Sequence, residues 1–205
     1  MRSRRKKWAL PFINENKDIF IEDFASNEDF FTPPLYLEIG TGKGDFILNM
    51  SLIQKGHYIG IEKDLSIAAI AGRKVKEKNN KDIKLINDDF DNVFEELSKY
   101  KFDAIYLNFS DPWPKLKHHK RRLTYSSRLN NMSSLLNKDG KIYIKTDNAD
   151  LFSFTLEQIP STDLAILSED NDYKLLDNDV ETEYEKQFRS LGIPIHRLIL
   201  IKKGN

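Results

Sequence analysis

The chain alternates short apolar runs with stretches of helical spacing, and this alternation restricts its possible folds more than any other feature. Leu35–Ile39, His57–Ile61, Ile83–Ile86, Phe102–Phe109 and Lys141–Thr146 read as strands. Between and after them lie segments of helical period: Phe46, Ile47, Met50, Leu52 and Ile53; Ser66–Lys78; Val93–Lys99; Tyr125–Leu136, closed by a turn at Asp139-Gly140; and Leu151–Ile159, stopped at Pro160. Near-continuous apolar strands separated by helices fit an α/β fold, a mostly parallel sheet covered on both faces. Two late strands, Leu164–Ser168 and Ile195–Lys202, lack an intervening helix of normal length, so an antiparallel edge hairpin is expected there.

Residues 1–32 read as an N-terminal basic extension, with Trp8, Leu10, Phe12 and Ile13 as anchors and Ile19–Phe24 as a short helix. Thr32-Pro33-Pro34 punctuates the chain before a single domain over 33–205. A length of 205 residues fits one domain with a full core. With no cysteine, disulfides and thiolate zinc sites are excluded, and a cytoplasmic location is expected. No apolar run approaches the roughly 18 residues of a membrane span, and the basic N-terminus lacks the apolar core of a signal peptide.

The formal net charge is zero, but the charges are segregated. Arg2, Arg4, Arg5, Lys6 and Lys7 crowd the N-terminus, and Lys115, Lys117, Lys120, Arg121 and Arg122 follow the fourth strand. Eight carboxylates and one lysine occupy residues 169–185. Separated patches of this kind bind polyanions locally despite a neutral total.

Gly40, Gly42 and Gly44 fall between the first strand and its helix, at the sheet edge where open α/β folds bind ligands. Small residues admit a cofactor close to the backbone, and the helix N-terminus behind them favours an anionic group. The spacing is G-x-G-x-G, not the dinucleotide G-x-G-x-x-G, which favours S-adenosylmethionine over NAD. Glu62 ends the second strand, where a carboxylate accepts both ribose hydroxyls of an adenosine cofactor. Asp88 or Asp89, after the third strand, is placed to contact adenine; Glu38 either faces the amino-acid end of the cofactor or braces the loop.

The loop Ser110-Asp111-Pro112-Trp113-Pro114-Lys115 joins a rigid proline corner to the basic run. Asp111 can accept hydrogen bonds from guanine N1–H and N2–H or contact the cofactor, and Trp113 either stacks on a base or packs as a lid. Lys115 suits a phosphate or a base carbonyl. Lys117, His118, His119, Lys120, Arg121 and Arg122 suit an RNA backbone; the paired histidines read as RNA contacts, and no metal is expected. Asp147 ends the fifth strand. Thr182, Glu183, Tyr184 and Glu185 read either as base-edge contacts or as a threonine-capped helix start.

These motifs, Glu38–Gly44, Leu107–Lys115, His118–Thr124, Lys145–Asn148 and Thr182–Glu185, resemble those of the bacterial tRNA (guanine-N7-)-methyltransferases in order and spacing. The resemblance implies the Rossmann-like, S-adenosylmethionine-dependent methyltransferase fold of seven strands with an antiparallel last strand. It also implies methylation of a guanine in the tRNA variable loop. Carried over by motif, the cofactor site falls on Glu38, Glu62, Asp89 and Asp111, with the glycine turn. Substrate contacts fall on Lys115, Asp147 and Thr182–Glu185, and RNA contacts on residues 117–122. Asp111 and Asp147 are the expected catalytic pair, acting by placement and electrostatics. The family includes monomers and dimers. Competing readings are a methyltransferase of proteins or small molecules, against which the basic loop argues, and a non-catalytic RNA-binding module, against which the glycine turn and carboxylates argue. An NAD-dependent dehydrogenase would need a substrate domain for which no sequence remains.

Overall fold

The computed structural model describes residues 6–204, so Arg2, Arg4 and Arg5 lie outside the described residues. The chain forms two compact units, divided between Tyr100 and Lys101. Among the described residues, the strands β1 (Leu35–Ile39), β2 (His57–Ile61), β3 (Ile83–Ile86), β4 (Phe102–Asn108), β5 (Leu136–Thr146), β6 (Leu164–Asp170) and β7 (His196–Lys202) follow the order β3-β2-β1-β4-β5-β7-β6.

In the first unit, β1 (Leu35–Ile39), β2 (His57–Ile61) and β3 (Ile83–Ile86) pair in parallel, with Leu35 opposite His57 and Tyr58 opposite Ile83. Every residue of β1 is buried, as required of a strand covered on both faces. Three crossover helices follow the strands: α2 (Asp45–Ile53), α3 (Leu65–Glu77) and α4 (Phe90–Leu97). On α2, Phe46, Ile47 and Met50 turn inward, whereas Leu52 and Ile53 fall on the exposed side of its last turn.

Residues 6–31 belong to this unit and carry a helix the sequence pattern did not reveal, α1 (Ala9–Glu15), which packs on α3. Arg73 lies over the Trp8 ring at 4.9 Å, and Phe12 meets Phe20 edge-on at 6.4 Å. The expected helix over Ile19–Phe24 does not form. Instead, Leu85 of β3 donates to Ile19 O and accepts from Ile21 N, both at 2.8 Å. The unpaired rim of β3 needed backbone partners, and a strand-like segment supplies them where a helix cannot. A short 3-10 segment forms further on, at Ala25–Phe30.

In the second unit, β4 (Phe102–Asn108) and β5 (Leu136–Thr146) are parallel, while β7 (His196–Lys202) runs antiparallel to both β5 and β6 (Leu164–Asp170). The late antiparallel pair therefore forms as expected, with β7 inserted between β5 and β6. Its helices are α5 (Ser126–Leu135), α6 (Ala149–Gln158) and α7 (Glu183–Ser190). The sequence placed the start of β5 at Lys141, after a turn at Asp139-Gly140. In the structure Leu136 already pairs with Phe102, and the ladder resumes at Ala104 and Lys141. Residues 137–140 are absorbed as an irregularity inside one strand. Among the described residues, no helix is long and apolar enough to cross a membrane.

Gly72 on α3 makes the anchoring of the N-terminal segment possible. A Cβ there would sit 2.5 Å from the Phe20 ring. Gly72→Val should therefore lower unfolding stability by about 1–3 kcal/mol through overpacking, read as a shifted denaturant midpoint; an unchanged midpoint would show that the ring is loosely held.

Candidate active site

The turn after β1 is built from left-handed backbone. Gly42 and Gly44 have φ of 57° and 81°, values that cost an ordinary L-residue about 1–2 kcal/mol. Gly40 N and Thr41 N both donate to Ile61 O, at 2.8 and 2.9 Å, which hooks the turn onto the end of β2. Gly44 caps α2, and a Cβ there would press on Ala71 at 3.0 Å. At Gly40 and Gly42 a Cβ would meet nothing within 4 Å, so the backbone is open to a ligand on that side.

Two carboxylates frame this turn. Glu38, 3% exposed, accepts from the Thr41 hydroxyl, so it braces the loop. Glu62 accepts from Gly42 N at 3.1 Å and from Asp64 N at 2.8 Å. Burial pushes the Glu62 carboxyl above the usual carboxylate range, and the two backbone N–H groups oppose that rise. Each of its oxygens retains acceptor capacity for a hydroxyl. Asp89 caps α4, accepting from Asp91 N at 3.2 Å, while Asp88 accepts from Asp89 N at 2.7 Å and from the Asn92 amide at 2.6 Å. An open glycine cradle at a helix N-terminus, with a part-buried carboxylate on one of its amides, suits an adenosine cofactor bearing an amino-acid group.

In the second unit, the chain leaves β4 through Phe109 at φ 52°, and Trp113 sits at φ 40° between its two prolines. Phe109 N donates to Lys145 O at 2.9 Å. Asp111 and Lys115 are exposed, Trp113 is half-buried, and the Arg121 guanidinium lies 5.2 Å from the Trp113 ring. His118 meets Trp113 edge-on, and His119 meets Phe154 edge-on. Lys117, Lys120 and Arg121 are exposed on a 3-10 segment, Leu116–Arg121, as a phosphate-contacting run requires.

Arg122 differs from these neighbours. It is 3% exposed, its Nε donates to Pro112 O at 2.7 Å, and it lies over the Phe154 ring at 4.4 Å. It braces the proline corner from within, a placement that composition could not separate from the rest of the basic run. Burial lowers its pKa.

Asp147 is half-buried at the end of β5, next to Asn148, which caps α6 by accepting from Leu151 N at 2.8 Å. Thr182 caps α7, accepting from Glu185 N at 2.9 Å. Glu183 and Tyr184 are exposed, and Tyr184 lies against Phe109 at 6.4 Å. Glu185 is fully buried and held by Arg189 at 2.6 Å and Lys145 at 3.1 Å. The four residues thus divide into a cap, two outward side chains and an internal charge. One candidate escaped the sequence reading: the Ser110 hydroxyl is buried and, among the described residues, has no hydrogen-bond partner. Ser110 opens the proline-corner motif, but the sequence gives no sign that its hydroxyl is buried.

The fold is that of the S-adenosylmethionine-dependent methyltransferases: a protein of that description from Clostridium acetobutylicum ATCC 824 superposes with a TM-score of 0.57 at 13% identity, over 98% of this chain and 93% of that one. Residues 32–198 match the family model described as "Putative methyltransferase". The chain is 39% identical to the tRNA (guanine-N(7)-)-methyltransferase of Bacillus subtilis (strain 168), covering 96% of this chain and 97% of the relative. It is 37% identical to the enzyme of the same name from Macrococcus caseolyticus (strain JCSC5402), over 97% and 98%. The chain belongs to the tRNA (guanine-N7-)-methyltransferase family.

Loss of the α7 cap should cost about 1 kcal/mol. Thr182→Ala is therefore expected to shift the unfolding midpoint down by that amount, and a neutral result would show that the hydroxyl is not spent on Glu185 N.

Proposed function

We propose that this protein transfers a methyl group from S-adenosylmethionine to N7 of a guanine in the tRNA variable loop, giving 7-methylguanosine. Near-full-length identity of 39% to a tRNA (guanine-N(7)-)-methyltransferase carries this reading. The donor supplies an electrophilic methyl group on a sulfonium. On the donor side, the Gly40–Gly44 turn, braced by Glu38, cradles the amino-acid end, Glu62 accepts the ribose hydroxyls, and Asp89 contacts the adenine. Asp111 contacts the donor or the guanine edge.

Guanine N7 carries an in-plane lone pair and needs no deprotonation before attack, so no side chain is required as a general base. The residues align the base for an in-line displacement. Positive charge develops on the purine, and Asp111 and Asp147 stabilise it. Lys115, Thr182, Glu183 and Tyr184 hold the nucleotide, with the exposed Tyr184 ring available for stacking. Glu185 serves this group from inside α7. Lys117, His118, His119, Lys120 and Arg121 track the RNA backbone, and Arg122 keeps their loop in shape. A protein acting on tRNA works in the cytoplasm, as a monomer or a homodimer.

Labelled methyl transfer to unmodified tRNA transcripts, followed by nuclease digestion, tests the reading. Label should appear as 7-methylguanosine and vanish when the variable-loop guanine is replaced by adenine. Persistence on the altered transcript would discard the target site, and transfer only to protein or small molecules would discard the substrate class.

Asp147→Asn should cut kcat by tenfold or more while donor affinity stays within about twofold, a loss of roughly 1.4 kcal/mol in transition-state stabilisation. An equal loss of donor binding would move Asp147 to the cofactor site. Exchanging Lys117, Lys120 and Arg121 for glutamine should flatten the salt dependence of tRNA binding, by about 0.7–0.9 in log–log slope per lost phosphate contact. An unchanged slope would remove that segment from the phosphate footprint.

The raised Glu62 pKa sets a pH dependence. Donor affinity that needs the charged carboxylate is full above the folded value and lost as pH falls through it, and that value lies above that of an ordinary glutamate. Calorimetric titrations over a descending pH series should show this loss in the wild type. Glu62→Gln, weaker throughout, should lose the step; a step that survives in the variant belongs to another group.

A further inference from the structure

Lys145, near the end of β5, carries a buried charge engaged by several partners, and it lies outside the set of residues expected to touch donor or guanine. It is 3% exposed, at the penultimate position of β5. Its ammonium contacts Asp179 at 2.6 Å, Glu185 at 3.1 Å and Val180 O at 3.2 Å. Its main-chain carbonyl accepts from Phe109 N at 2.9 Å, at the left-handed residue that opens the proline corner. Its ammonium also lies 5.2 Å from the Tyr173 ring, whose hydroxyl donates to Asp179 at 2.7 Å. One residue therefore joins two stretches of chain, Phe109 through its backbone carbonyl and residues 179–185 through its side chain, and it stands two positions before Asp147 on the same strand end.

An ammonium removed from water costs several kcal/mol unless matched, and two carboxylates and a carbonyl here match it. Such a pairing contributes little net stability compared with an apolar replacement. Its value lies in geometry, because each partner accepts only from a particular direction. A methionine of similar length could fill the space without fixing Asp179, Val180 or Glu185.

We propose that Lys145 is a positioning residue for methyl transfer, fixing the proline corner, Asp147 and the Thr182–Tyr184 segment in one mutual arrangement through its buried contacts with Phe109 N, Asp179, Val180 O and Glu185. It touches neither donor nor guanine. This inference rests on the reading that those three stretches hold the guanine.

Lys145→Met tests it, with hydrogen exchange and kinetics measured well below the melting temperature. Methionine keeps the Lys145 carbonyl, so loosening starts at residues 179–188 and reaches 109–115 through the Phe109 ring contacts with Tyr184 and Phe188; peptides covering both segments should exchange faster than in the wild type, while those covering α5 and β7 stay unchanged. With tRNA saturating, kcat should fall tenfold or more, and donor Kd should remain within twofold. Unchanged exchange in both segments, acceleration spread evenly over α5 and β7, or a kcat within twofold of wild type would each overturn the assignment. Should Lys145→Met fail to fold, Asp179→Asn carries the same test, since Asp179 is 18% exposed in its side chain and tolerates a neutral amide more readily. If the wild type itself forms no 7-methylguanosine, the proposed reaction fails, and the exchange pattern alone decides whether Lys145 positions these segments.

Discussion

The orphan N–H groups at the start of a helix need acceptors, and much of the candidate site grows from the residues that supply them. Asp64 caps the helix after β2, Asp89 the helix after β3, Asn148 the helix after β5 and Thr182 caps α7, whereas Gly44 before α2 and Tyr125 before α5 make no side-chain cap bond. These residues sit where parallel strands deliver the chain to the ligand-binding edge of an α/β sheet. A residue recruited for capping is thereby also a residue within reach of a ligand. Asp89 and Thr182 show why the structural and functional readings of a strand-end residue need not compete: the carboxylate of Asp89 caps α4 and retains further acceptor capacity.

The two units manage charge differently. Around the glycine turn, backbone N–H groups converge on Glu62 against the cost of its burial. In the second unit, side chains of both signs are sunk together: Lys145, Arg189 and Arg197 surround the Tyr173 ring, with Arg197 at 3.8 Å, and are matched by Asp179, Glu185 and Asp170. The acidic stretch 169–185, which stands out in the sequence as unbalanced charge, is thus partly internal. Its carboxylates answer cations from β5, α7 and β7.

Strand positions were largely legible because fully buried parallel strands leave continuous apolar runs; Leu35–Ile39, His57–Ile61 and Ile83–Ile86 begin and end where those runs do. The N-terminal segment was not legible. Its residues 19–21 pair with Leu85, a tertiary demand that overrides local helical spacing. The start of β5 was hidden because Asp139-Gly140 has turn chemistry yet lies within an irregular strand. Within the site, residue types could be read but depth could not. Arg121 and Arg122 are the same residue type in the same basic run, whereas only packing against Phe154 and Pro112 O sends Arg122 inward. Lys145 was likewise visible as part of Lys145-Thr146-Asp147-Asn148, but its partners Val180 and Glu185 lie 35 and 40 residues away.

On the proposed reaction, the chain aligns an existing lone pair and does not create a nucleophile. A tRNA transcript carrying 7-deazaguanine at the variable-loop position replaces N7 by C–H while keeping the base's Watson–Crick edge. This transcript should bind with unchanged affinity and accept no methyl group. Methyl transfer to the substituted transcript at the wild-type rate would contradict this reading.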